Sequence, residues 1–238
     1  SAAPGSHVNP RPRTMSLHSR LLQRAAEGRP VRIALVGAGK FGSMYLAQAP
    51  RMPGVHVVGI ADLAPDRARA NLERVGWKPG QAGAGSIDQA LCDGTTWVTD
   101  DWEALVADPR IEMLVESTGN PIAAVDHILA AFAHGKHVVN VTVEADALCG
   151  PILARRAAGA GVVYSLAYGD QPAMICDLVD WARTCGFPVV AAGRGHKWLP
   201  HYCESTPETV WGYYGLTPEQ AERGGLNPKM FNSFLDGS

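Results

Sequence analysis

A doubly wound α/β domain on a parallel sheet, followed by the start of a second α+β domain, is predicted by three observations on this sequence. Six short apolar runs alternate with helix-like stretches between residues 31 and 167. The first run feeds straight into Gly37-Ala38-Gly39-Lys40-Phe41-Gly42, and the texture changes after Asp170. Strands covered by helices on both faces read as continuous apolar runs, so this alternation specifies βαβ units and not a one-sided antiparallel sheet.

The elements follow in order. Residues 1–16, rich in Pro, Gly, Ser and Arg, have too little apolar surface to bury and read as a disordered extension or an expression remnant, with Met15 a natural start. LHSRLLQRAA over 17–26 has helical spacing, and Gly28 with Pro30 stops it. The runs at 31–37, 55–62, 95–100, 111–118, 136–143 and 161–167 read as strands of one domain over residues 17–168. The segment 77–94, containing PGQAGAG, exceeds a normal crossover and reads as a surface loop with a short helix, without chemistry. Beyond it, a helix is expected over 172–185, a strand over FPVVAAG at 187–193, and an aromatic, Pro-containing stretch over 198–214. Residues 169–238 thus form a second, partial domain. Asp236-Gly237 reads as a turn leading into a further strand, which makes the chain a truncated one.

Composition narrows the partners. With 238 residues, 46% hydrophobic and 18% charged, the chain can bury a real core, one complete domain and part of another. A net charge of -2 and the absence of a basic run give no electrostatic basis for nucleic acid or an acidic membrane, which leaves small molecules. Five cysteines without a C-x-x-C pair read as reduced thiols, and no apolar run approaches a membrane span, so the cytoplasm is the expected location. Cys149 and Cys176 lie in apolar helical segments and read as buried packing residues.

The glycine turn carries the chemistry. A buried strand, G-x-G-x-x-G and a helix in succession form the fingerprint of a Rossmann-type dinucleotide-binding domain. Gly37 permits the tight turn, Gly39 lets a pyrophosphate approach the backbone, and Gly42 lets the helix pack against the sheet. Lys40 and Phe41 lie between them, at a helix start whose free N–H groups face the phosphates. Asp62, about 20 residues past the last glycine, suits the adenosine ribose hydroxyls. Its charge favours NAD, whereas Lys40, Arg67 and Arg69 could neutralise a 2′-phosphate and permit NADP, so the choice between NAD and NADP stays open. Glu116-Ser117-Thr118-Gly119-Asn120-Pro121 closes the fourth strand at the sheet edge where ligands bind. Thr118 and Gly119 are candidates to pass beneath the nicotinamide ribose, and a plain helix cap explains the same residues.

GAGKFG, ADLAPDRA, VTDD, ESTG, GKHVVNVTVEAD, GVVYSLAYGDQP and NPKMFNSFLDGS together resemble the homoserine-dehydrogenase-like oxidoreductases that carry a C-terminal SAF-type domain. That group includes deoxyxylulose phosphate reductoisomerase-like enzymes. The resemblance implies a Rossmann domain, a catalytic and oligomerisation domain that makes a homo-oligomer, and a SAF-like domain following the DGS motif. Homoserine dehydrogenases carry a Thr-Ala-Asn-Lys-like motif after the GKHVV strand. Here that stretch reads Asn140-Val141-Thr142-Val143-Glu144-Ala145-Asp146, so the lysine is missing and Glu144 occupies its neighbourhood.

The same resemblance sets Gly169-Asp170-Gln171-Pro172 beside the nicotinamide, where Asp170 could orient a substrate hydroxyl or a catalytic ammonium. A helix N-cap accounts for it equally well. In Arg194-Gly195-His196-Lys197, Lys197 is the candidate proton donor or oxyanion stabiliser, and Arg194 could hold a phosphate or carboxylate. His196, His201 and Cys203 match no standard zinc spacing, so no metal is assigned. Trp198, Trp211, Tyr213 and Tyr214 read as core or subunit contacts. The expected activity is hydride transfer between NAD(P) and a small hydroxy or oxo substrate, including a sugar phosphate. Homoserine-dehydrogenase-type activity and a non-catalytic dinucleotide-binding sensor or assembly protein are the alternatives.

Overall fold

A computed structural model describes residues 16–169, 171–193, 195 and 198–236, Asp236 by its backbone alone. The chain divides into two compact units, residues 1–165 and 166–238.

Strands β1 (Val31–Val36), β2 (Val55–Ala61), β3 (Trp97–Thr99), β4 (Met113–Glu116), β5 (His137–Asn140) and β6 (Tyr164–Leu166) each fall inside an apolar run read above. They form one sheet in the order β3-β2-β1-β4-β5-β6, and β1 pairs in parallel with both β2 and β4. The chain order therefore reverses between β1 and β4, where open α/β sheets leave a crevice at their carboxyl ends.

Helices α1 (Leu17–Ala26), α2 (Lys40–Gln48), α3 (Pro65–Arg74), α4 (Ile87–Asp93), α5 (Trp102–Ala107), α6 (Pro121–Ala133) and α7 (Val143–Ala160) belong to the first unit. The two-residue period of β1 divides its core. Ile33 and Leu35 pack with Leu46 of α2 and Leu72 of α3. Ala34 and Val36 pack on the other face with Leu105 of α5, Ile128 of α6 and Leu153 of α7. Burial of each large aliphatic side chain contributes about 1.5–3 kcal/mol, which is what holds helices on both faces.

Local chemistry fixes the remaining pieces. Ser16 caps α1 by accepting from the Ser19 N–H at 3.2 Å, and Arg24 donates to both oxygens of Glu112 at 2.7 and 2.9 Å, tying α1 to the sheet. The segment 77–94 contains the short helix α4 and is anchored by Trp77, whose indole N–H donates to the Leu46 carbonyl at 2.8 Å. Helix α7 breaks its helical geometry at Cys149, φ -145°, directly ahead of Gly150-Pro151. A proline supplies no N–H and crowds the preceding turn, which accounts for the kink.

The second unit holds α8 (Gln171–Thr184), a 3-10 turn (Pro200–Glu204), α9 (Val210–Tyr214), α10 (Pro218–Arg223) and α11 (Pro228–Asp236). Its small core is Val210, Trp211, Ala221 and Leu235, with Tyr202, Tyr213 and Phe231 against it.

Two expectations are corrected by the structure. FPVVAAG is not a strand: residues 187–193 join no ladder, Phe187 and Val190 are exposed, and Pro188 has no N–H to give one. Phe234 to Asp236 end helix α11, and the turn and strand expected from Asp236-Gly237 onward lie outside the described residues. Cys176 is exposed, because α8 buries none of its residues within its unit. Of the aromatic stretch, Trp211 is core, whereas Trp198 and Tyr214 are exposed. Residues 1–15 and the Gly237-Ser238 end lie outside the described residues. Among the described residues no helix is long and apolar enough to cross a membrane.

Candidate functional site

The glycine turn sits at the reversal point. Gly37 leaves β1 with φ +95°, a conformation that L side chains rarely adopt, and its N–H donates to the Ala61 carbonyl at 2.8 Å. A Cβ there would lie 2.7 Å from the Ser117 backbone, so the β1 and β4 turns touch. The Ser117 hydroxyl donates to the Gly37 carbonyl at 2.7 Å and joins them. Gly42, inside α2, lies against the Gly37 carbonyl where any Cβ would collide. Gly39 is the opposite case: it is the N-cap of α2, has no capping side chain, and nothing lies within 4 Å of its Cβ position. An uncapped helix start beneath open space fits a pyrophosphate. Lys40 and Phe41 open the helix, both exposed.

Asp62 follows β2 with its side chain 7% exposed. One oxygen accepts from the Ala38 N–H in the glycine turn at 2.9 Å. The other accepts from the Ala64 N–H at 2.9 Å and from Arg67 at 3.2 Å. A carboxylate has about four acceptor sites, so the group can brace its own loop and still face ribose hydroxyls. Arg67, 67% exposed in its side chain, is the basic group placed beside that carboxylate. Arg69 is committed elsewhere, to Asp66 at 3.0 Å and the Val98 carbonyl at 2.9 Å. Asp62→Ala should weaken NAD more than NADP, since it removes both a hydroxyl partner and a repulsive charge. Losing a hydrogen bond to a charged group costs on the order of 1.5–3 kcal/mol, roughly ten- to hundredfold in affinity. Calorimetry with both cofactors reads this, and equal small losses would remove Asp62 from the site.

The β4 turn is organised from below. Glu116 is 0% exposed and accepts from the Thr118 hydroxyl at 2.6 Å, the Thr118 N–H at 3.2 Å and the Thr142 hydroxyl. His127 lies beside it at 3.4 Å. Thr142 in turn accepts the Gly119 N–H at 3.0 Å, linking the turn after β4 to the one after β5. The Thr118 hydroxyl and the N–H groups of Thr118 and Gly119 thus bond within the protein, and Gly119 has φ +71° with nothing within 4 Å of its Cβ position. The cap of α6 is Asn120, which accepts from the Ile122 and Ala123 N–H groups at 3.1 and 3.2 Å, so neither Thr118 nor Gly119 is spent on that role. Beyond Thr142, Asn140 donates to the Tyr164 hydroxyl at 3.1 Å, and that hydroxyl donates to Asp146 at 2.9 Å. Burial, with the Asp146 carboxylate, holds the Tyr164 phenol well above the usual range.

Glu144 is exposed in the first turn of α7, with Asp146 the other acid there. Compensation of the helix dipole is a sufficient structural reason for an acid at that place. Asp170, Arg194, His196 and Lys197 lie outside the described residues. His201 stacks against Tyr213, ring centroids 5.9 Å apart. Sequence reasoning passed over Ser117, Glu116, Thr142 and Asn71, whose amide donates to the Ala38 carbonyl at 3.0 Å. The signal for the first two was their place in the run that ends β4.

Comparison with known proteins gives this geometry a class. Residues 31–140 match a family model described as the oxidoreductase family, NAD-binding Rossmann fold. Residues 169–238 match one described as oxidoreductase DRL, catalytic domain. Both segments thus match models of oxidoreductases, and the cofactor class that goes with the first is a nicotinamide dinucleotide. No curated protein matches the sequence. Among solved structures, a homoserine dehydrogenase from Thiobacillus denitrificans is 25% identical, with 58% of this chain and 29% of that one covered and a TM-score of 0.46. An NAD binding oxidoreductase from Klebsiella pneumoniae is 21% identical over 66% of this chain and 39% of that one, TM-score 0.43. Biliverdin reductase from Synechocystis sp., in complex with biliverdin and NADP+, is 22% identical over 58% and 38%, TM-score 0.39. The chain spans well under half the length of each.

Proposed function

We propose that this chain is the cofactor-binding part, with part of the catalytic domain, of an NAD(P)-dependent oxidoreductase that moves a hydride to or from a small hydroxy or oxo substrate, a sugar phosphate among them. The observation that carries this reading is the juxtaposition of the open Gly39 backbone, the Asp62 carboxylate and the Gly119 turn along one sheet edge, followed in sequence by a match to an oxidoreductase catalytic domain. The bound nicotinamide supplies the hydride chemistry, and the protein supplies orientation and a proton. In this reading Lys197 donates that proton or stabilises the oxyanion, Asp170 orients the hydroxyl, and Arg194 holds a substrate anion. Glu144 stands where homoserine dehydrogenases carry a lysine, which favours a different substrate from theirs. Affiliation with the SAF-type, reductoisomerase-like group, assembly as a homo-oligomer and a cytoplasmic location belong to the same proposal.

The test is a screen of sugar phosphates and hydroxy acids for NAD(P)H formation or consumption by the native protein. Lys197→Met should then lower turnover about 10²-fold with cofactor affinity nearly unchanged, as for loss of an acid–base group. Asp170→Asn should act in the same way and less than additively with it. Turnover within about twofold of the parent in both variants would remove the pair. Cofactor binding with no turnover across the screen would favour a sensor or assembly protein.

A further inference from the structure

The mechanism just proposed makes no use of Glu116, a carboxylate with 0% exposure at the carboxyl end of a central strand. Glu116 stands in the last register row of the sheet, opposite Val36 of β1 and Asn140 of β5. On the cofactor reading above, the sheet order gives the half of a dinucleotide that it faces. The glycine turn follows β1, and β2 and β4 lie on opposite sides of β1. With the pyrophosphate on the turn and one ribose at Asp62 after β2, the other half of the molecule runs over the end of β4. That half carries the nicotinamide, whose ring is cationic when oxidised and neutral when reduced.

We infer that the buried Glu116 carboxylate sets the redox preference of this site, holding the oxidised nicotinamide more tightly than the reduced one. The inference rests on the cofactor reading above. A charge removed from water is screened far less than one on the surface, so it distinguishes a cation from a neutral ring at a range where an exposed acid would not. The groups around it are placed to receive an acceptor. Two hydroxyls, from Thr118 and Thr142, and the Thr118 N–H point at its oxygens, with the His127 ring beside them. Removing the carboxylate by Glu116→Gln therefore acts on the NAD+ affinity in particular. The Thr142 link holds the Gly119 turn in place and acts on both redox forms alike.

The experiment is titration of the chain with the oxidised and the reduced dinucleotide at pH 8, above the ordinary imidazole range, for parent and variants checked by thermal melting. Glu116→Gln is expected to raise the ratio Kd(oxidised)/Kd(reduced) about tenfold, equivalent to about 30 mV for a two-electron couple. Thr142→Val should weaken both forms together, with the ratio kept. If Glu116→Gln does not fold, His127→Lys sets an ammonium, held charged by its neighbour, beside the same carboxylate and should move the ratio in the same direction. A ratio within twofold of the parent in a folded charge variant overturns the inference, as does a Thr142→Val that moves it as far as Glu116→Gln. A parent that binds neither form overturns the cofactor reading instead.

Discussion

Replacing Gly39 by valine is expected to abolish dinucleotide binding while leaving the fold intact. The two halves of that expectation have separate causes. Gly39 has φ -70° and ψ -156°, an extended backbone that any residue adopts, and nothing lies within 4 Å of its Cβ position. The Cβ of a valine there meets no protein atom within 4 Å, so the melting temperature should move little. The same open space is where a pyrophosphate must come close to the α2 amides, and two methyl groups would hold it off. A loss of at least about a hundredfold in affinity is expected, on the order of 3 kcal/mol. Calorimetry beside a thermal melt separates binding from folding. A variant that binds as tightly as the parent would place the pyrophosphate elsewhere.

What could be read from the sequence and what could not divide along a physical line. The strand runs and the glycine turn were legible because their determinants are contiguous: an apolar run needs only its neighbours to be recognised, and Gly37 to Gly42 carry the whole turn. The Glu116–Thr142 link was not, since it joins residues 26 apart that only the parallel pairing of β4 with β5 brings together. Glu116 as text is a polar residue ending an apolar run. FPVVAAG failed in the opposite sense. Its composition suits a strand, but a strand exists only where a partner accepts its ladder, and no residue from 187 to 193 has one. Cys176 was misplaced for a related reason: the apolar character of a helix does not say which face, if any, is covered.

Gly42→Ala is expected to destabilise the first unit, although alanine is the better helix former by roughly 1 kcal/mol. Gly42 lies inside α2, where its missing side chain lets the helix rest on the Gly37 carbonyl. A Cβ would collide with that oxygen and also meet the Ser117 hydroxyl oxygen at 3.2 Å and the Gly37 carbonyl carbon at 3.3 Å. The collision is with backbone that cannot turn away: the Gly37 N–H is held by Ala61 at 2.8 Å, and its carbonyl accepts the Ser117 hydroxyl. Relief requires α2 to lift, which opens the contact between Leu46 and the β1 face made by Ile33 and Leu35. Overpacking costs typically 1–3 kcal/mol, and a collision with fixed backbone lies at the upper end, about 2–3 kcal/mol, so a net loss of about 1–2 kcal/mol should remain after the helix gain. In a chain of this size that corresponds to a fall in melting temperature of roughly 2–8 °C. Gly159→Ala in α7 provides the control, because nothing lies within 4 Å of its Cβ position and only the helix gain applies. Its melting point should rise slightly. If Gly42→Ala melts at or above the parent, the close approach of α2 to the glycine turn is not what the glycine is there to allow.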